Sequence, residues 1–180
     1  MKQVREAFEA ARTGADTIDR AIAVVESYLS AYPDHPVATA CLGSLHAMQA
    51  GASSLPWVKL KHATTASALL DMAHSRWFEG TAAQCCDADY PGELEILLLR
   101  GVAYANFPAF LGKADTARAC LQQAERHPAF AMLTARHQAL AFAHLAVLHH
   151  RTGQETTARQ YLEHAMAADE ATANPVWTGR

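Results

Sequence analysis

Apolar residues recur at intervals of three and four along nearly every long segment of this chain, the period of a helix that buries one face. Alternating β-branched runs, which would mark strands, are almost absent. The period therefore points to an all-α fold. Gly14 followed by Asp16, Pro33 and Pro36 around Asp34, Gly51 before Ser53, Pro108, Pro128 and Gly153 punctuate the text. Each either tolerates a left-handed helix end or is unable to continue a helix. The pieces between them run about 12 to 20 residues, the length of paired helices joined by short turns.

Of the 180 residues, 51% are hydrophobic and only 18% charged. Soluble domains usually carry about a quarter charged residues, so this chain buries much of itself. One domain over 1–180 is expected, hiding roughly 70% of its unfolded surface without needing a disulfide or a structural metal. The net charge of −3 and the lack of a Lys/Arg run argue against nucleic acid or an anionic membrane surface as partner. No segment approaches 18 uninterrupted apolar residues, and residues 1–14 lack the apolar stretch and cleavage site of a secretory signal. A cytoplasmic location is the expectation. Cys41 and Cys120 sit in helical text, and the adjacent pair Cys85 and Cys86 is poorly spaced for a disulfide framework.

Internal similarity sharpens the architecture. Phe142, Leu145, Ala146 and His149, a turn at Gly153, then Ala158, Leu162 and Ala165 resemble the tetratricopeptide repeat, including twelve residues from the small residue of the first helix to the first Ala of the second. Small residues at Ala146 and Ala158 would let two helices approach closely while larger ones fill the space around them. The second-helix signature recurs at Ala21, Val25 and Tyr28 before Pro33, and at Ala117, Leu121 and Ala124 before Pro128. It recurs less regularly at Ala66, Leu70 and Ala73. Leu42, Gly43 and His46, and Gly101 with Tyr104, open first helices in register. The resemblance implies an irregular solenoid of four antiparallel hairpins, about 1–35, 36–76, 91–127 and 129–170. An insert at 77–90 and a short tail at 171–180 complete the chain. The segment around Arg100 with its Asn106-Phe107-Pro108 turn further resembles a group of bacterial repeat proteins with no activity to carry over.

The period is stretched in the middle: 23 positions separate Gly43 from Ala66, and 16 separate Gly101 from Ala117. Both enlarged turns carry apolar text, Leu55-Pro56-Trp57 in one and Phe107-Pro108-Ala109-Phe110 in the other. Turns of successive hairpins emerge on one edge of a solenoid, so the two are expected to be neighbours. Their side chains either seal the helix ends or form a joint patch for a partner. Arg100 stands where the repeat has Leu. It is expected to bond the carbonyls of the enlarged turn, with an anion-reading role as the alternative.

The resemblance also implies a groove along the first helices, at Val37, Ala40, Ser44 and Ala47, then Glu95, Leu98, Val102 and Ala105, then Leu140, Ala143, Val147 and His150. These are mostly small and apolar, which suits an apolar helix, an extended peptide or a second copy of the chain. The Lys, Asn and Arg set with which some family members clamp a peptide carboxylate is missing. A homodimer would follow if a terminal hairpin left its apolar face uncovered, although Gln154, Glu155, Arg159, Gln160 and Glu163 give the last helix a polar, cap-like side.

Chemistry has little foothold. No two histidines stand three or four residues apart, so none forms a helical metal pair, and a packing role is expected for His46 and His149. Cys85 and Cys86, followed by Asp87 and Asp89, are the only mixed ligand cluster, with no basic neighbour to stabilise a thiolate. Phosphate loops, nucleophile elbows, His-Glu-x-x-His and CxxC motifs are absent. The sequence thus reads as a non-catalytic protein interaction module without cofactor, a cytoplasmic adaptor or assembly factor. Trp57, Phe107, Phe110, Leu98, Val102, Val147 and His150 are the candidate partner-binding residues. The alternative is a small-ligand or metal-binding protein with a pocket near Arg100 and Cys85-Cys86.

Overall fold

The computed structural model describes residues 1–78 and 91–178. Among them the chain is all-helical, with no strand: α1 (Lys2–Arg12), α2 (Ile18–Ala31), α3 (Pro36–Ala52), α4 (Pro56–Phe78), α5 (Gly92–Ala105), α6 (Ala114–Arg126), α7 (Ala135–Arg151) and α8 (Glu155–Thr178). Short 3-10 turns at Ala109–Leu111 and Pro128–Met132 precede α6 and α7.

Local chemistry sets the ends. Thr17 Oγ1 accepts the Arg20 amide at 3.3 Å to start α2, and Thr134 Oγ1 accepts the His137 amide at the start of α7. Pro36 occupies the first turn of α3, where its missing N–H costs nothing. Gly14 and Gly153 both adopt φ +74°, a conformation that favours glycine, and so reverse the chain after α1 and α7. Gly51 lies inside α3 instead of stopping it.

Each odd-numbered helix packs mainly against the helix that follows it, and the odd-numbered helices also touch one another in succession, α1 on α3, α3 on α5, α5 on α7. Close approach within the pairs depends on missing side chains. A Cβ at Gly43 would stand 2.8 Å from Leu70 Cγ, and one at Gly101 would stand 2.7 Å from Leu121 Cγ. Both leucines are wholly buried, each worth roughly 2 to 3 kcal/mol of apolar burial. Ala146 and Ala158 are buried in the α7–α8 pair in the same way. Because α3 contacts α1, α2, α4 and α5, its first ten residues, Pro36 to Leu45, are all buried.

Trp77 and Phe78, expected in the insert, belong to α4. There Arg76 donates to the Pro33 carbonyl at 2.9 Å and pairs with Asp34. The Trp77 ring lies so close to Gly92 that a Cβ would come within 2.8 Å of it, which brings the end of α4 to the start of α5.

Residues 171–178, expected as a tail, are helical. α8 breaks at Asp169 (φ −160°, ψ 99°), whose carboxylate accepts the Ala171 amide at 3.1 Å and the Thr172 hydroxyl at 2.6 Å and so starts a second helical segment. Before the break, α8 runs antiparallel to α7, with Tyr161 stacked on His149 and His164 against Phe142. After it the chain reverses: Ala173 packs with Ala143, and Trp177 meets His150 at 5.4 Å between ring centres. Alanines on both partners permit this close return, which a composition of small residues encodes without a visible helix-stop pattern.

Candidate functional site: an apolar cavity between the odd-numbered helices

The odd-numbered helices curve until the first meets the last. Glu9 of α1 stands 3.9 Å from His137 of α7 and also pairs with Arg12. Burial raises the Glu9 carboxyl, but the bonds to His137 and Arg12 outweigh it and hold the group down at about 2. Beside this contact, Arg5 grips Glu95 of α5 with two nitrogens, Nη2 at 2.9 Å and Nε at 3.1 Å. Glu95, expected in an open groove, is instead 8% exposed and paired.

Between these helices lies a cavity of about 560 Å³. Phe8 of α1, Ser44, Ala47 and Met48 of α3, Leu98, Leu99 and Val102 of α5, and Leu140 and His144 of α7 form its walls. Pro175 and Val176 of the returning segment close one side. Of the expected groove positions, Ser44, Ala47, Leu98, Val102 and Leu140 meet here, whereas Val37 and Ala40 are fully buried and Ala143 is covered by Ala173.

Two polar groups stand out in this apolar setting. His144 is 5% exposed, and neither ring nitrogen has a hydrogen-bond partner among the described residues. Burial, reinforced by the positive charge of Arg151, lowers its pKa to about 4 and keeps it neutral. Ser44 Oγ is buried without a partner as well. A buried donor or acceptor left unmatched costs about 1 to 3 kcal/mol. The sequence places both residues on helices but carries no sign that their polarity would go unmatched.

The remaining expectations divide. Trp57 and Phe110 are 68% and 77% exposed, whereas Phe107 is buried against Tyr104 at 5.3 Å between ring centres. Val147 is half-buried, and the exposed His150 lies between Glu155 and Trp177. None of these five lines the cavity. Nor do the two apolar turns share one level: Lys113 of the second turn bonds Asp71, which follows Trp57 by fourteen residues on α4, about 21 Å of helical rise. The greater length of α4 relative to α5 produces this offset.

Arg100 does not bond the turn carbonyls. Its Nε and Nη2 donate to Asp71 Oδ1 at 3.1 and 2.7 Å, and its Nη1 to Cys120 Sγ at 3.4 Å. Tyr104 and Lys113 donate to the same carboxylate at 2.7 and 3.0 Å. Burial raises Asp71, but the donors from Tyr104, Arg100 and Lys113 bring it to about 2. The guanidinium is thus already engaged by an anion supplied within the fold. Cys85 and Cys86 lie outside the described residues.

The structure also joins histidines that sequence spacing kept apart. His46 of α3 and His62 of α4 bring their Nδ1 atoms within 3.3 Å, with the rings stacked and Gln49 Oε1 at 3.0 Å. Among the described residues no group of three or more His, Cys, Asp or Glu could hold a metal ion, and no helix is long and apolar enough to cross a membrane. Comparison of the chain with protein-family models, with curated proteins and with solved structures gives no match.

Proposed function

We propose that the protein is a non-catalytic interaction module, an adaptor or assembly factor whose hairpins stack in the manner of tetratricopeptide repeats. The repeat reading draws support from Gly43 against Leu70 and Ala66, and Gly101 against Leu121 and Ala117, the residues at which the sequence pattern requires close approach. The interaction reading rests on one observation: Leu55, Trp57 and Leu60, gathered at the start of α4, are 47%, 68% and 47% exposed. Large apolar side chains left in water at one place are the usual anchors of a partner protein. The inner face is a poor seat for a whole partner helix, since its cavity holds about 560 Å³ and a single helical turn with its side chains fills roughly 400 to 600 Å³.

A photo-crosslinking residue at position 60 tests this. The expected result is a discrete crosslinked partner, lost when Trp57→Ala is added, with the melting temperature unchanged. A melting temperature that falls together with the crosslink would mean that Trp57 serves the fold and would overturn the reading.

A second reading, a module that holds a small ligand, is favoured by the cavity. It lies between α1, α3, α5 and α7, away from Arg100.

A further inference from the structure

We infer that the cavity is the binding site of an uncharged, mainly apolar small molecule carrying one hydrogen-bonding group, which meets the imidazole of His144. This inference rests on the second reading above and specifies its ligand. The cavity volume of about 560 Å³ falls within the range of roughly 300 to 1,000 Å³ typical of small-molecule sites. Phe8, Met48, Leu98, Val102 and Leu140 supply an apolar wall that matches an aliphatic or aromatic body.

The polar groups define the rest of the ligand. His144 is buried, neutral and unmatched by any hydrogen bond in the fold, so a ligand hydroxyl, carbonyl or amine would complete it. The buried Ser44 Oγ is a second unmatched group on the opposing helix α3. The charged lining residues are Glu9 and Arg12, which neutralise each other. A charged ligand group drawn into the site would therefore lose water without gaining a free counter-ion. Pro175 and Val176 cover the site from a segment joined to the body of α8 by the break at Asp169.

The test uses the full chain and two fluorescent probes with the same ring system, N-phenyl-1-naphthylamine and its sulfonate, 1-anilinonaphthalene-8-sulfonate. The uncharged amine is expected to bind saturably at one per chain and the sulfonate at least about tenfold more weakly. 1-Decanol should displace the amine, and decanoate at pH 8 should not. His144→Phe, or His144→Leu if the first misfolds, should weaken binding of 1-decanol about fivefold, as loss of one hydrogen bond predicts, when its displacement of the amine is corrected for the amine's affinity measured in the same variant. Val102→Phe should reduce binding of the amine by filling the cavity, with the helical circular dichroism unchanged.

Absence of saturable binding by either probe to the folded chain would overturn both the second reading and this inference. Equal binding of the two probes would overturn the ligand class and leave the cavity reading standing. Amine binding unaffected by Val102→Phe would place the probe elsewhere and overturn the site. Binding of 1-decanol unaffected in the His144 variant would overturn the assigned anchor.

Discussion

Glu9 on the first helix and His137 at the start of the seventh stand 3.9 Å apart, although 128 residues separate them in sequence. This contact joins the first and seventh helices at the cavity, whose lining includes both residues. Glu9→Gln should loosen it. Because the Glu9 carboxylate is 42% exposed, the loss is expected to be modest after allowance for solvent screening, about 0.5 to 1 kcal/mol. A folded pKa depressed from 4.5 to about 2 contributes stability that is present above pH 4.5 and lost as pH falls toward 2. Thermal melts of wild type and Glu9→Gln should therefore differ at pH 7 and converge near pH 2, and the difference at pH 7 should shrink in high salt.

Three glycines in helices should respond oppositely to the same substitution. Gly43→Ala and Gly101→Ala each drive a methyl to within 3 Å of a buried leucine, and the cost of overpacking, about 1 to 3 kcal/mol, exceeds the helix-propensity gain of up to about 1 kcal/mol. Gly51 has nothing within 4 Å of the added methyl, so Gly51→Ala should keep that gain. Urea titration of the three variants reads the sign directly.

These glycines also show why part of the fold was legible in the sequence. Gly43 and Gly101 stand out as small residues ahead of Ala66 and Ala117, at stretched intervals of 23 and 16 positions, because close packing demands small residues on both helices, and the structure pairs those same positions. The apolar period gives the helices for the same reason. The returning segment after Asp169 was not legible, because its contacts join Ala173 to Ala143 and Trp177 to His150, and alanine-rich text looks alike whether or not it doubles back. The cavity was half-legible: Leu98, Val102 and Leu140 followed from repeat positions, but Glu9 and His137 also line it, brought together from the first and seventh helices, a pairing no local spacing records. Arg100 was recognised as needing partners, but Asp71 lies on another helix, twenty-nine residues away.

Asp71 gathers Arg100, Tyr104 and Lys113, and so ties α4 to α5 and to the turn before α6. Asp71→Asn keeps the shape and removes the charge. With the side chain 41% exposed, a loss of about 1 to 2 kcal/mol is expected at pH 7. The contribution is present above pH 3.8, the ordinary value, and lost as pH falls toward about 2, so wild type and variant should converge there. Arg100→Leu should also lower the melting temperature, since it leaves Asp71 short of its bidentate donor.

His144 gives stability a different pH dependence. Its folded pKa of about 4 lies below the ordinary 6.5, so the unfolded chain binds a proton that the folded chain refuses. Above pH 6.5 the ring is neutral in both states, and stability falls as pH drops from 6.5 to about 4, by roughly 3 kcal/mol at most. In His144→Leu that part of the slope should vanish. Denaturant titrations between pH 7.5 and 4.5 measure it as a flatter stability profile.

Arg5 and Glu95 offer the clearest separation of a tie from its cost. The glutamate is 8% exposed and accepts two guanidinium nitrogens, so it fastens α1 to α5 beside the cavity. Glu95→Leu alone takes from the partly buried Arg5 its bidentate carboxylate, and Arg5→Met alone leaves the buried carboxylate without that guanidinium; each is expected to cost about 3 kcal/mol. The double variant Arg5→Met with Glu95→Leu removes both charges of the pair from a site lined by Phe8, Leu98 and Leu99, with Glu9 and His137 alongside. It should therefore recover most of that loss, because the attraction of a buried pair barely exceeds the desolvation that it offsets. A double-mutant cycle by urea denaturation should accordingly give an apparent coupling larger than the loss shown by the double variant itself. If the double variant is as unstable as the sum of the single ones, the pair acts independently, and the attachment of α1 depends on other contacts.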